Sequence, residues 1–346
     1  MEKIRVALDA MGGDLAPQAP VAGAVAAVKE NSGVKVFLLG NEAAVKDELS
    51  RLGYTGDAIE VVPCTETIEM AEPPVAAISK KKDSSIVRGM NMVRHGEADC
   101  FVSAGSTGAI LVGGQVIVGR VKGVQRPPLG SLIPTEKGFS LLIDCGANMD
   151  ARPQWLLQFA EMGSIYYENF MGVKKPRVAI LNVGAEEEKG NALVKETFPL
   201  LKASENINFV GSVEARDITS GGADIIVCDA FSGNMILKMY EGTAATFLRV
   251  IKKSLMSSLK TKIGALLIQK SLKSSLKAFD AKKYGGAPLL GLKGLVVKTH
   301  GSAGEVEIKN SILQCHQFYA LNINEQIRSC MEAEAEFMKK LRQEQK

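Results

Sequence analysis

The sequence predicts an α/β fold built on a mostly parallel sheet, and three observations carry that reading. Short Val/Ile/Leu-rich runs recur along the chain, a glycine-rich turn follows most of them, and helix-period segments fill the intervals. Residues 4–8, 34–39, 100–103, 140–143, 178–183, 225–228 and 295–298 are continuous apolar runs, as suits strands buried on both faces. Residues 61–62 and 209–210 read as shorter strands. Segments 20–30, 42–52, 75–95, 153–170 and 192–204 space their apolar residues as helices do. Strands alternating with helices join through right-handed crossovers, which makes the sheet parallel. No fixed-period repeat or low-complexity linker interrupts residues 1–346, so the chain reads as a single α/β domain.

Residues 241–283 break the alternation. Leu248, Ile251, Leu255, Leu259, Ile263, Leu266 and Lys270 step by three or four without a strand between them, as do Leu272, Leu276 and Phe279. This predicts an inserted amphipathic helical hairpin, turning near Gln269. From Ser311 onward one long helix closes the chain.

Composition and charge narrow the class. With 46% hydrophobic and 23% charged residues over 346 positions, the chain is not disordered, collagen-like or a small disulfide scaffold. The net charge of +4 is too mild to argue for nucleic acid. Yet residues 249–283 hold ten Lys/Arg against one acid, Asp280, so the rest of the chain is net acidic and the basic patch calls for a local partner. Six cysteines without a C-x-x-C pair read as small buried side chains in a reducing cytoplasm. The first nine residues alternate like a strand rather than a secretory signal, and residues 108–119 are too short to span a bilayer.

Ligands of open parallel sheets bind beyond the carboxyl ends of the strands, so the loops there carry the candidate site. They read Asp9-Ala-Met-Gly-Gly-Asp14, Ala104-Gly-Ser-Thr-Gly-Ala109, Asp144-Cys-Gly-Ala-Asn148, Glu186-Glu-Glu-Lys-Gly-Asn191, Asp229-Ala-Phe-Ser-Gly-Asn234 and Thr299-His-Gly-Ser302. Glycine lets backbone N–H groups approach a ligand, and a helix N-terminus adds unpaired donors. Gly105, Ser106, Thr107 and Gly108 fit a phosphate cradle, and a plain helix cap fits them equally. Lys189 and Lys298 are the cations nearest the loops; Lys189 is either ligand-facing or part of a solvated charge run. Asn234 either donates to a developing oxyanion or caps the next helix. Asp9, Asp14 and Asp144 orient donors or cap helices; Gly12, Gly13, Asn148, Asn191 and Gly233 complete these loops. His300 is the one histidine in such a loop, with Ser302 two residues on, while His95 and His316 read as helix residues.

Missing motifs also inform. There is no G-x-x-x-x-G-K-[ST], no G-x-G-x-x-G after the first strand, no G-x-S-x-G elbow and no His/Cys cluster with metal spacing. A substrate rather than a protein side chain then supplies the nucleophile, and no metal or cofactor is expected.

The loops, together with Lys80-Lys-Lys-Asp-Ser-Ser85, Tyr284-Gly-Gly-Ala287 and Lys298-Thr-His-Gly-Ser302, resemble in order the bacterial phosphate acyltransferase family PlsX, from about residue 3 to residue 325. The resemblance implies a Rossmann-like three-layer α/β/α fold, similar to the isocitrate and isopropylmalate dehydrogenases and to phosphate acetyltransferase. It implies transfer of a fatty acyl group from acyl carrier protein to inorganic phosphate. The acyl phosphate would feed a glycerol-3-phosphate acyltransferase in phospholipid synthesis. It further implies a homodimer bound peripherally to the inner face of the membrane. The family's catalytic lysine and asparagine fall on Lys189 and Asn234. On that reading Lys189 neutralises phosphate and Asn234 steadies the oxyanion. Gly105, Ser106, Thr107 and Gly108 cradle phosphate with Lys298 and Ser302, and His300 is the candidate general acid. The hairpin residues Lys260, Lys262, Ile263, Leu266, Leu267, Lys270 and Lys273 would meet an anionic membrane, the acidic carrier protein or a second copy of the chain. The sequence departs from the family pattern at Leu15, Ser106 and Ala230. Three rivals remain: a coenzyme A-dependent phosphate acetyltransferase, a metal- and nicotinamide-dependent decarboxylating dehydrogenase, and a non-catalytic membrane scaffold. The second lacks its aspartate cluster and substrate arginines.

Overall fold

The computed structural model describes residues 3–277 and 281–344. In chain order the elements are β1 (Ile4–Asp9), α1 (Gln18–Glu30), β2 (Val34–Gly40), α2 (Glu42–Arg51), β3 (Ile59–Pro63), α3 (Pro74–Lys80), α4 (Ser85–His95), β4 (Cys100–Ser103) and α5 (Thr107–Gly113). There follow β5 (Gly130–Thr135), β6 (Gly138–Ile143), α6 (Pro153–Met171), β7 (Arg177–Asn182), α7 (Ala192–Ala203), β8 (Asn208–Glu214) and β9 (Ile225–Val227). The chain continues through α8 (Ala230–Leu255), α9 (Leu259–Lys277), β10 (Ala287–Leu289), β11 (Leu295–Lys298), α10 (Glu305–Ala320) and α11 (Ile323–Glu344).

These elements form two compact units, neither continuous in sequence. The first comprises residues 1–131, 161–175 and 282–346, and the second residues 132–160 and 176–281. The first unit's sheet runs β10-β11-β4-β1-β2-β3, parallel except for β10. The second unit's sheet runs β5-β6-β9-β7-β8, with parallel pairs from β6 to β8. The apolar runs therefore fold as the α/β strands that the sequence predicts, divided between two sheets. Every residue of β4, β9 and β11 is buried, which is what a Val/Ile-rich run without alternation requires.

One device starts the central strand pair of each sheet. Arg5 in β1 grips Asp99, the residue before β4, through Nη2–Oδ1 at 2.8 Å and Nε–Oδ2 at 3.2 Å. Arg177 in β7 grips Asp224, just before β9, through Nη2–Oδ1 at 2.9 Å and Nε–Oδ2 at 3.0 Å. In both, the arginine's backbone N–H also donates to the aspartate. A bidentate guanidinium–carboxylate pair is stiff enough to set strand register. Side-chain caps start the helices: Asn41 for α2, Ser84 for α4, Ser106 for α5, Asn191 for α7 and Asp229 for α8 each accept a backbone N–H.

Four expectations change. The helix read over 75–95 breaks at 81–84, where Ser84 caps a new helix. The C-terminal helix is two helices, parted at Leu321 and Asn322. The run 241–283 is part of α8 and α9; its first helix already starts at Ala230 and its turn lies at 256–258, not near Gln269. Ser258 and Thr261 exchange side-chain and backbone hydrogen bonds there, which supplies the N-terminal cap of α9. Two strands, β5 and β10, were not legible as apolar runs. Phe279 and Asp280 lie outside the described residues.

Candidate active site

In the first unit, β1 ends on Asp9, whose carboxylate is fully buried. Its Oδ2 accepts from Ser103 Oγ at 2.6 Å and its Oδ1 from the Met11 amide at 3.0 Å. Burial pushes this carboxyl above its ordinary range, against hydrogen bonds from Ser103, Ser85 and the Met11 and Gly12 amides that pull it down. Ser103 Oγ in turn accepts the Gly105 amide at 2.9 Å, so Asp9 knits the loop after β1 to the loop after β4. Gly12 lies so close that a Cβ there would sit 2.3 Å from Asp9 Oδ2 and 2.6 Å from the Gly105 nitrogen. The Asp14 amide donates to the Gly301 carbonyl at 2.8 Å, which brings the third loop alongside.

Ser106 caps α5, its Oγ accepting the Ala109 amide at 3.4 Å. Gly108 makes room for Pro74, whose Cγ would lie 2.4 Å from a Cβ. Lys298 is buried at the end of β11, and its Nζ donates to the carbonyls of Ala104 and Thr299. The Thr299 hydroxyl beside it is buried and without a partner among the described residues. His300 and Ser302 are exposed, with Nδ1 of the imidazole 2.8 Å from the Ser302 hydroxyl. The first unit thus gathers Asp9, Gly12, Gly13, Asp14, Gly105, Ser106, Lys298, His300 and Ser302 on one set of adjoining loops. The Lys-Lys-Lys-Asp-Ser-Ser motif serves this scaffold. Lys81 pairs with Glu72 at 2.6 Å, Asp83 accepts from Thr65 and Arg88, and Ser85 reaches Asp9.

In the second unit, Asp144 is buried at the end of β6. Its two oxygens accept the Gly146, Ala147 and Asn148 amides and the Asn148 side chain at 2.7–3.0 Å. Gly233 allows α8 to approach this turn; a Cβ there would fall 2.0 Å from the Asp144 carbonyl oxygen. Asp229 caps α8, accepting the Ser232 amide at 2.8 Å and its hydroxyl at 2.9 Å. Asn234 therefore lies inside the first turns of α8, not at its cap. Its side-chain amide makes no hydrogen bond among the described residues.

Lys189 is half-exposed. Its Nζ meets Glu186 Oε1 at 2.8 Å, and this hydrogen bond and charge hold the ammonium above its usual range. Asn191 caps α7, accepting the Val194 amide at 2.9 Å. Asn182, the last residue of β7, donates to the Lys189 carbonyl and to Ser212 Oγ, both at 3.2 Å. A cavity of about 230 Å³ lies between these loops, lined by Asn182, Gly190, Asn191, Asp229 and Ser232 and by the apolar Leu156 and Leu193. Asn182 is not singled out by the sequence; its signal is a polar residue closing an apolar strand, as Ser103 does for β4.

No protein nucleophile stands out. The thiols of Cys145 and Cys228 are buried, and burial followed by the nearby Asp144 charge raises both well above the ordinary range. The hydroxyls of Ser103, Ser106 and Ser232 are already engaged. Among the described residues no cluster of three or more His, Cys, Asp or Glu could hold a metal.

The model of the family described as fatty acid synthesis protein matches residues 4–326. A phosphate acyltransferase of Clostridium botulinum is 48% identical over 326 residues, covering 94% of this chain and 98% of that protein. The chain belongs to the phosphate acyltransferase family. A phosphate acyltransferase of Clostridium novyi is 45% identical over 95% of this chain and 99% of its own length. Among solved structures, a phosphotransacetylase from Streptococcus pyogenes superposes with a TM-score of 0.60 at 19% identity, covering 92% of this chain and 94% of that one. EutD phosphotransacetylase from Staphylococcus aureus gives 0.56 at 18%, covering 91% and 94%. These two share the fold of this chain. Membership of the phosphate acyltransferase family makes the chemistry acyl transfer involving phosphate.

Proposed function

We propose that this phosphate acyltransferase moves a long-chain fatty acyl group from acyl carrier protein to inorganic phosphate, releasing acyl phosphate for glycerol-3-phosphate acylation. The observation that carries the reading is its near full-length similarity to phosphate acyltransferases, joined to strand-end loops rich in backbone donors. A phosphate oxygen attacks the thioester carbonyl, the new O–C bond forms and the C–S bond breaks. The proton of monohydrogen phosphate ends on the carrier sulfur, so atoms and charge balance without a covalent enzyme intermediate. The protein's part is to bind anions and to donate hydrogen bonds where negative charge develops. Lys189 supplies charge toward phosphate, and the unengaged side-chain amide of Asn234 supplies an oxyanion donor. Lys298 and the amides of Gly105, Ser106, Thr107 and Gly108 supply the phosphate-binding end of the first unit. Asp9, Asp14, Asp144, Asn148 and Asn191 hold these loops in place.

The test mixes the protein with palmitoyl-acyl carrier protein and phosphate and follows phosphate-dependent release of carrier thiol. Release with acyl phosphate formed is expected, with loss of at least a hundredfold in Lys189→Ala and in Asn234→Ala. Wild-type turnover in both variants, or turnover of acetyl-coenzyme A only, overturns the assignment.

The helical hairpin fits a peripheral, anionic membrane surface. Leu259 and Leu267 are each 80% exposed and Leu266 71%, alongside the exposed Lys260, Lys262, Lys270 and Lys273. Each basic residue near such a surface contributes ~1 kcal/mol. No helix among the described residues is long and apolar enough to cross a membrane. Flotation with vesicles containing anionic lipid is expected to carry the wild type but not the Leu266→Glu, Leu267→Glu variant. Unchanged flotation would leave this face to the carrier protein or to a second copy of the chain in a homodimer.

A further inference from the structure

The segment after β11 holds its histidine in one protonation pattern. Nδ1 of His300 receives the backbone N–H of Ser302 at 3.2 Å, and the Ser302 hydroxyl lies 2.8 Å from the same nitrogen. An amide N–H only donates, so Nδ1 is an acceptor and the proton of the neutral ring sits on Nε2. The loop is held from its other side as well. The His300 backbone N–H donates to Glu307 Oε1 at 3.1 Å, and the Ala303 N–H to the His300 carbonyl at 3.0 Å. Glu307 is buried on the first turn of α10, whereas the imidazole is exposed and its Nε2 makes no hydrogen bond among the described residues.

We infer that Ser302 and Glu307 are positioning residues that present His300 as a neutral Nε2–H donor, and that His300 gives this hydrogen bond to bound phosphate rather than a proton to the leaving sulfur. The inference rests on the proposed transfer to phosphate and revises one role within it. That reaction needs no protein acid, because monohydrogen phosphate carries the proton that the carrier sulfur takes up. The loop of His300 adjoins the loops after β1 and β4, through the Asp14 amide on the Gly301 carbonyl at 2.8 Å and the Thr299 amide on the Ser103 carbonyl at 2.9 Å. The Ser302 hydroxyl, expected to touch phosphate, lies 2.8 Å from the imidazole Nδ1.

The test is nitrogen-15 NMR of the full chain labelled at histidine, followed at alkaline pH. His300→Gln identifies the His300 signals against those of His95 and His316. The Nε2–H tautomer is expected in the wild type and in Ser302→Ala, which keeps the amide donor. Glu307→Ala should relax it toward a mixture, and Glu307→Gln, which keeps the acceptor, should restore it. Added inorganic phosphate should shift Nε2. In turnover, His300→Ala is expected to raise the KM for phosphate about tenfold, as loss of a hydrogen bond to an anion does. His300→Gln, which keeps an N–H but no titratable proton, should recover most of that rise. An Nδ1–H tautomer, or no response to Glu307→Ala, overturns the positioning. Equal loss in the Gln and Ala variants, or an effect on kcat alone, overturns the donor role. If the wild type transfers no acyl group to phosphate, the proposed function fails by itself, and the tautomer and phosphate titration still decide the positioning.

Discussion

Asp9 shows how a single buried carboxyl can organise two loops and cost stability doing so. Burial raises its folded-state value above the unfolded one, so the native state holds the proton more tightly than the unfolded chain. The contribution to stability is then complete below the unfolded value and is lost as pH rises through the folded one. Asp9→Asn mimics the protonated form. Its urea midpoint is expected to vary less than the wild type's from about pH 4 to pH 7, with the wild type losing stability along that interval. Parallel curves would mean that Asp9 is ionised without cost. At this scale the sequence reads Asp9, Asp14 and Asp144 as residues that orient donors or cap helices; in the structure the carboxylates of Asp9 and Asp144 accept backbone amides of their own loops. It could not choose between two fates for Ser106 and Asn234. That choice depends on where each helix starts: Ser106 is spent as a cap, while Asp229 takes the cap of α8 and leaves Asn234 open.

At the scale of elements, α8 carries two glycines with opposite demands. Gly233 faces the Asp144 carbonyl with no space for a Cβ, whereas Gly242 has nothing within 4 Å of one. Gly233→Ala is therefore expected to cost about 3 kcal/mol or more through overpacking against backbone that cannot yield. Gly242→Ala should gain about 1 kcal/mol from helix propensity alone. Urea unfolding of both variants checks the sign of each; a destabilised Gly242→Ala would show that this part of α8 is covered in solution. The hairpin turn was misplaced in the sequence because its apolar spacing continues unbroken across it. Only the Ser258–Thr261 hydrogen bonds end one helix and begin the next. The arginine–aspartate clamps at Arg5 and Arg177 were likewise unreadable, since their partners lie 94 and 47 residues away.

For the whole molecule, the exposed hairpin is the feature with the clearest consequence. Residues 247–276 are mostly exposed, and such segments open locally at low free energy. Limited trypsin digestion is expected to cut first after Lys252, Lys253, Lys260, Lys262, Lys270 or Lys273, and anionic vesicles should slow those cuts. First cleavage in the α/β units, or no protection by vesicles, would show that this face is already buried by another partner.

The sequence by itself determined the strand and helix alternation, the family and the loops at the strand ends. Those depend on local periodicity, on backbone freedom at glycine and on short motifs. Only the tertiary structure decided how the strands divide between two sheets, which hydroxyls and amides are spent on caps, and which groups meet the ring of His300. Each of those is set by a partner distant along the chain or across a turn, and a one-dimensional pattern carries no record of hydrogen-bond direction.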